Sequence, residues 1–160
     1  DQFGAASHFG SPLEDGIDGV LGANLLFAQP LTLDMRRHRL VFDLPGDIPQ
    51  WNAVRCAPQN GVPMVALNVN GTAMQCVLDS RAPVSTIPRA LYKGRTREQQ
   101  AGGPVVADPD VVTLGGVTIK YNMSFVLGSA TTAVLGLDFL ERYALAFDPR
   151  SRTLYFRPLP

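Results

Sequence analysis

Apolar residues along the chain fall into short β-type runs broken by polar turn residues, while helical signals are sparse and brief. The clearest run is Val62–Val69, followed by Asn70-Gly71 and the returning run Thr72–Leu78. Asn-Gly tolerates the positive φ that a two-residue type I′ turn demands, so the stretch predicts an antiparallel hairpin. A second hairpin is expected from residues 111–114 and 117–121 around Gly115-Gly116. Residues 94–110 between the hairpins are polar, Gly-containing and without period, and predict a mobile loop. Helical candidates are confined to residues 23–28, 89–93 and 137–143. Residues 44–50, with two prolines and a glycine, mark a boundary. The pattern predicts an all-β fold with one or two short helices.

The chain also repeats itself. Val20-Leu21-Gly22 matches Val134-Leu135-Gly136 at an offset of 114 residues, and the offset holds without a gap to Phe42 and Phe156. Nine of 23 positions are identical, among them Leu26/Leu140, Leu31/Leu145, Asp34/Asp148, Leu40/Leu154 and Phe42/Phe156. Each copy reads as an apolar strand, a glycine, a short helix and a hairpin ending in Leu-x-Phe. The second copy is preceded by a long front half and the first is not. Two units follow: residues 1–45 as the C-terminal part of a first lobe, and residues 46–160 as a complete lobe. An intact parent is expected to continue upstream of Asp1.

Composition narrows the partners. Fourteen basic and fourteen acidic residues leave no formal net charge, which argues against nucleic acid as a partner. No apolar run approaches the roughly 20 residues of a membrane span. Fifteen glycines and thirteen prolines fit a turn-rich fold. Cys56 and Cys76 either pair, which would suit a periplasmic or secreted setting, or remain buried free thiols, the default in a reducing compartment. The localisation is otherwise open.

The candidate chemistry lies where the first hairpin ends, in Val77-Leu78-Asp79-Ser80-Arg81-Ala82. A carboxylate directly after an apolar strand, followed at once by a hydroxyl residue, is unusual for a plain turn. With the later Val134-Leu135-Gly136 run, this motif resembles the pepsin and retropepsin superfamily of aspartic peptidases, in a bacterial-type two-unit form. The resemblance implies a retropepsin-like closed barrel preceded by the end of a similar lobe. It implies Asp79 as catalytic carboxylate, Ser80 as a brace between paired loops, and Arg81 and Ala82 beside a bound peptide or protein substrate. Val134, Leu135 and Gly136 would thread next to the Asp79 loop in a psi-shaped arrangement. In such enzymes two carboxylates share a proton because like charges so close cannot both ionise. One then takes a proton from water while the other polarises the scissile carbonyl.

Two departures from the motif stand out. Arg81 occupies the position of the family's glycine, bringing bulk and permanent positive charge beside Asp79. No second Asp-Ser or Asp-Thr pair occurs in the chain, so the second carboxylate would come from an upstream lobe or from a homodimer partner. A catalytically degenerate peptide- or protein-binding module of the same fold is the rival reading. No cofactor or metal is expected: His8 and His38, the two histidines, lack ligand spacing, and no Gly-x-Ser-x-Gly elbow is present. The basic run Arg36-Arg37-His38-Arg39 reads as a solvated hairpin turn.

Overall fold

A computed structural model of the chain describes residues 22–59, 62–98, 100–119 and 122–160. Val20, Leu21 and His8 lie outside the described residues, as does most of the expected first lobe before residue 22. The all-β expectation agrees with the structure: among the described residues the strands are joined by turns, a 3-10 turn at Ile48–Gln50 and two four-residue helices, α1 (Ala23–Leu26) and α2 (Leu137–Leu140). The helix expected over 89–93 is a turn instead, with Leu91 N–H donating to the Pro88 carbonyl. Tyr92 is buried there, and its hydroxyl donates to the Arg95 carbonyl.

The predicted hairpins are present. Strand β5 (Val62–Val69) pairs antiparallel with β6 (Thr72–Leu78), and Asn70 and Gly71 take φ of +49° and +86°. Strand β10 (Val112–Leu114) pairs with β11 (Val117–Thr118) across Gly115 and Gly116, both also at positive φ. Residues 94–110 are not a featureless loop. They form a third hairpin from β8 (Thr96–Glu98) and β9 (Val105–Ala107). The reason is Val105-Val106-Ala107, whose last two side chains are buried while β9 pairs with β12 (Phe125–Gly128). Ion pairs Arg95–Asp110 and Arg97–Asp108 cross the base of this hairpin at 2.8 and 2.5 Å.

With β7 (Thr86–Pro88), β13 (Ala133–Leu135) and β4 (Ala57–Gln59) added, these strands make a ten-stranded sheet curled into a half-barrel. Its order is β11-β10-β5-β6-β13-β7-β12-β9-β8, with β4 on β5. Phe125, Leu67, Leu114 and Leu135 fill its inside, and Phe139 of α2 closes it.

A second, five-stranded sheet is antiparallel throughout. It comprises β1 (Leu31–Asp34), β2 (Arg39–Val41), β3 (Asn52–Arg55), β14 (Tyr143–Asp148) and β15 (Thr153–Pro158), in the order β2-β1-β14-β15-β3. Here the sequence repeat becomes a structural one. Helix α1 matches α2 residue for residue at the 114-residue offset. Leu25 and Leu26 N–H groups donate to the Gly22 carbonyl as Phe139 and Leu140 donate to that of Gly136. His38 and Arg152, one offset apart, close their turns at φ of +50° and +51°. Arg36, Arg37, His38 and Arg39 are all exposed in that turn, as a solvated run should be.

The two copies meet back to back. Leu31 lies opposite Phe147, Thr32 opposite Ala146 and Leu33 opposite Leu145. Thr32 and Ala146 are repeat counterparts, so a local two-fold axis passes between them and relates β1–β2 to β14–β15. Leu31 is buried in the main core, with Leu26, Phe27, Leu33 and Leu40 packed against it. Among the described residues, no helix is long and apolar enough to cross a membrane.

Candidate functional site

Strands β6 and β7 follow one another in the chain but are not neighbours in the sheet: β13 threads between them. It runs parallel to β6, with Ala133 opposite Cys76, Val134 opposite Val77 and Leu135 opposite Leu78, and antiparallel to β7. The apolar run Val77-Leu78 therefore ends beside the apolar run Val134-Leu135, and Asp79 emerges level with Gly136. Asp79 N–H donates to the Leu135 carbonyl at 3.0 Å, extending the ladder by one residue.

The loop from Asp79 to Ser85 then wraps around Gly136. Leu137 N–H donates to the Ala82 carbonyl at 2.8 Å, and Gly136 N–H donates to Ser85 Oγ at 3.0 Å. A Cβ added to Gly136 would sit 2.5 Å from the Ala82 carbonyl oxygen and 2.8 Å from the Val84 backbone. Glycine is needed at this crossing for space, since its φ is an ordinary −93°.

Asp79 itself is half-buried and turns back on its own loop. Its Oδ1 accepts the Arg81 backbone N–H at 2.8 Å, and its carbonyl accepts Ala82 N–H at 3.2 Å. Ser80 and Arg81 are exposed at the tip of this turn, while Ala82 is half-buried against α2. The structure thus brings Asp79, Ala82, Leu135 and Gly136 into one hydrogen-bonded cluster, with Val134 one residue earlier on β13. Ser80 and Arg81 are held at the rim.

Two residues absent from the sequence reading support the cluster from behind. Ser85 is fully buried, and its Oγ donates to Asp138 Oδ1 at 2.6 Å. Ser85 N–H donates to Asp138 Oδ2 at 3.0 Å, and Asp138 Oδ1 also accepts Phe139 N–H at 2.9 Å. One carboxylate therefore ties the far end of the Asp79 loop to the start of α2. A Ser four positions after an Arg, and an Asp two after a Gly, carry no signal in a single sequence. Only the threading of β13 makes them neighbours.

Cys56 and Cys76 are both free, so the disulfide alternative fails. Cys76 lies at mid-β6 facing the core, and Cys56 follows β3, where its N–H donates to the Arg152 carbonyl. Burial raises the thiol pKa values to about 12 for Cys76 and about 11 for Cys56. Neither is a nucleophile near neutral pH.

A groove of about 870 Å³ reaches Pro83 and Asp138 behind the Asp79 loop. It runs between the β1–β2 turn (Met35, Arg36, His38) and the end of α2 (Glu141, Arg142). A smaller cleft of about 190 Å³ lies between Phe27, the β14–β15 turn and Cys56, Pro58 and Pro63. Comparison with family models and with curated proteins finds no match for the chain.

Proposed function

We propose that residues 46–160 are one lobe of an aspartic-peptidase-like protein, with a retropepsin-like barrel and Asp79 as its catalytic carboxylate. The observation that carries this reading is the crossing of β13 between β6 and β7, which sets Asp79 against Leu135 and Gly136. A loop wrapped so closely around a glycine holds its carboxylate in one place, as acid–base chemistry requires. The order of elements supports it too: a hairpin delivering Asp79, a strand, the β8–β9 and β10–β11 hairpins, then β12, β13, Gly136 and a helix.

In this mechanism Asp79 faces an equivalent carboxylate from a second lobe or subunit. The two hold one proton between them, and their titration belongs to the pair. The ionised member takes a proton from a water as its oxygen attacks the peptide carbonyl. The protonated member hydrogen-bonds the carbonyl oxygen as it gains charge. Ser80, exposed at the loop tip, is positioned to brace the facing loop.

Arg81 favours the rival reading, a degenerate module that binds extended peptide without cutting it. Its side chain leaves the loop where the family motif keeps the space of a glycine. A pepstatin-type inhibitor, which imitates the tetrahedral intermediate, separates the two. Stabilisation of the chain against heat by this inhibitor, lost in Asp79→Asn, supports a peptidase site. Absence of any shift in a chain paired with its second lobe or subunit, with peptide binding retained in Asp79→Asn, supports the degenerate module.

A further inference from the structure

The turn that joins β5 to β6 is tied to a distant segment. Asn70 Oδ1 accepts the backbone N–H groups of Asp110 and Val111, each at 3.0 Å. Asn70 N–H donates to the Val111 carbonyl at 2.9 Å. Three hydrogen bonds at one residue thus fasten the start of β10, and the base of the β8–β9 hairpin just before it, to the tip of the first hairpin. Asn70 and Gly71 are themselves exposed, so water reaches both.

Asn-Gly is also a dipeptide prone to lose its side-chain amide, because glycine puts no Cβ in the way of its own backbone nitrogen. In that reaction the Gly71 nitrogen gives its proton to hydroxide and attacks Asn70 Cγ. A C–N bond forms, the bond from Cγ to the side-chain nitrogen breaks, and that nitrogen leaves as ammonia with a proton from water. Water then opens the five-membered succinimide at either carbonyl. One opening yields aspartate; the other yields isoaspartate, whose backbone runs through Cγ and is one carbon longer. Both partners of the first step are occupied here. Gly71 N–H donates to Asn68 Oδ1 at 2.8 Å, and the Asn70 carboxamide is bound by residues 110 and 111. The positive φ of both turn residues is fixed by the ladder on either side, where Val69 faces Thr72.

We infer that Asn70 is a modification site of this chain, deamidating through Gly71 and held in check by its docking on Asp110 and Val111. The reaction proceeds when residues 108–111 lift from the turn, without unfolding of the barrel. Little apolar burial opposes that lifting: the Arg95–Asp110 and Arg97–Asp108 pairs are solvent-exposed, and Val111 is 50% exposed. The aspartate product keeps an oxygen for both N–H groups. The isoaspartate product is too long for the two-residue turn between Val69 and Thr72, and its carboxylate adds negative charge next to Asp110. Conversion to isoaspartate therefore releases the base of the β8–β9 hairpin. This stands on the turn alone, whichever reading of Asp79 holds.

The test ages the full chain in mildly alkaline buffer over a series of urea concentrations. Conversion at Asn70 is followed by the mass gain of its peptide and by enzymatic methylation of isoaspartate. It is expected to be slower by about tenfold or more in the folded chain than in the unfolded one. Below the unfolding transition the rate should barely change with urea, because local lifting exposes little surface. Asn68→Ala, which leaves Gly71 N–H without its acceptor, should speed conversion severalfold in the folded chain and leave the unfolded rate unchanged. In the aged chain the amides of Asp110 and Val111 should lose protection from exchange, whereas freshly purified Asn70→Asp should keep it. Equal rates in folded and unfolded chains, or an Asn68→Ala chain that converts no faster, would overturn the inference. So would a folded rate that climbs with urea in step with global unfolding, since the barrel and not the clamp would then be the restraint. Protection of Asp110 and Val111 that survives isoaspartate formation would overturn the release of the hairpin base.

Discussion

Gly136 is the residue on which the Asp79 loop closes, and its requirement is one of volume. Gly136→Val forces branched carbon into the Ala82 carbonyl and the Val84 backbone, which are fixed by their own hydrogen bonds. A loss of about 1–3 kcal/mol in unfolding free energy is expected from overpacking, measured by denaturant titration. Asp138 acts at the other end of the loop. Asp138→Ala leaves the buried Ser85 hydroxyl and N–H without their acceptor, at a cost of about 1–3 kcal/mol. Amide exchange of Ser85 and Gly136 should rise with it. Unchanged exchange there would show that the carboxylate does not hold the loop. Asp79 and Gly136 were legible in the sequence because each sits in a recognisable local motif. Ser85 and Asp138 were not, because their pairing spans 53 residues and depends on which strand lies between which.

At the scale of elements, hairpins with Asn-Gly or Gly-Gly turns were readable because the turn chemistry demands positive φ at both central positions. The β8–β9 hairpin escaped because its polar half, Thr96–Glu98, is exposed, and only β9 carries burial. Its base is held by charge. Hydrogen bonds from Arg97 and Ser124 hold the Asp108 carboxyl below its ordinary pKa. A carboxylate lowered by folding stabilises the hairpin above its unfolded value of about 3.9, and that contribution disappears as pH falls through the lower folded value. Asp108→Asn should therefore speed amide exchange in residues 105–107 at pH 7 and weaken the dependence of that exchange on acidification. Added salt should reduce the wild-type advantage, because both partners are solvent-exposed.

At the scale of the molecule, the repeat was the most informative feature of the sequence, since an ungapped offset of 114 residues survives into helix, turn and strand register. What the sequence left open was how the copies meet. The two-fold pairing of β1 with β14 makes residues 22–42 part of the core. Leu31→Ala, in β1, should then destabilise the whole chain by about 2–5 kcal/mol in a single transition. A separate, earlier transition confined to residues 22–42 would show instead that the first copy is only loosely attached.

The central claim is that Asp79 is one half of a proton-sharing pair. Hydrolysis of a mixed peptide substrate, followed across pH in the chain extended by a second copy of residues 46–136, tests it most directly. With two such aspartates facing each other, cleavage should follow a bell-shaped pH profile set by the pair and vanish in Asp79→Asn. The unextended chain, with its single Asp-Ser pair, should cleave nothing as a monomer. Cleavage that survives Asp79→Asn, or a folded extended chain that cuts no peptide at any pH, would contradict the account.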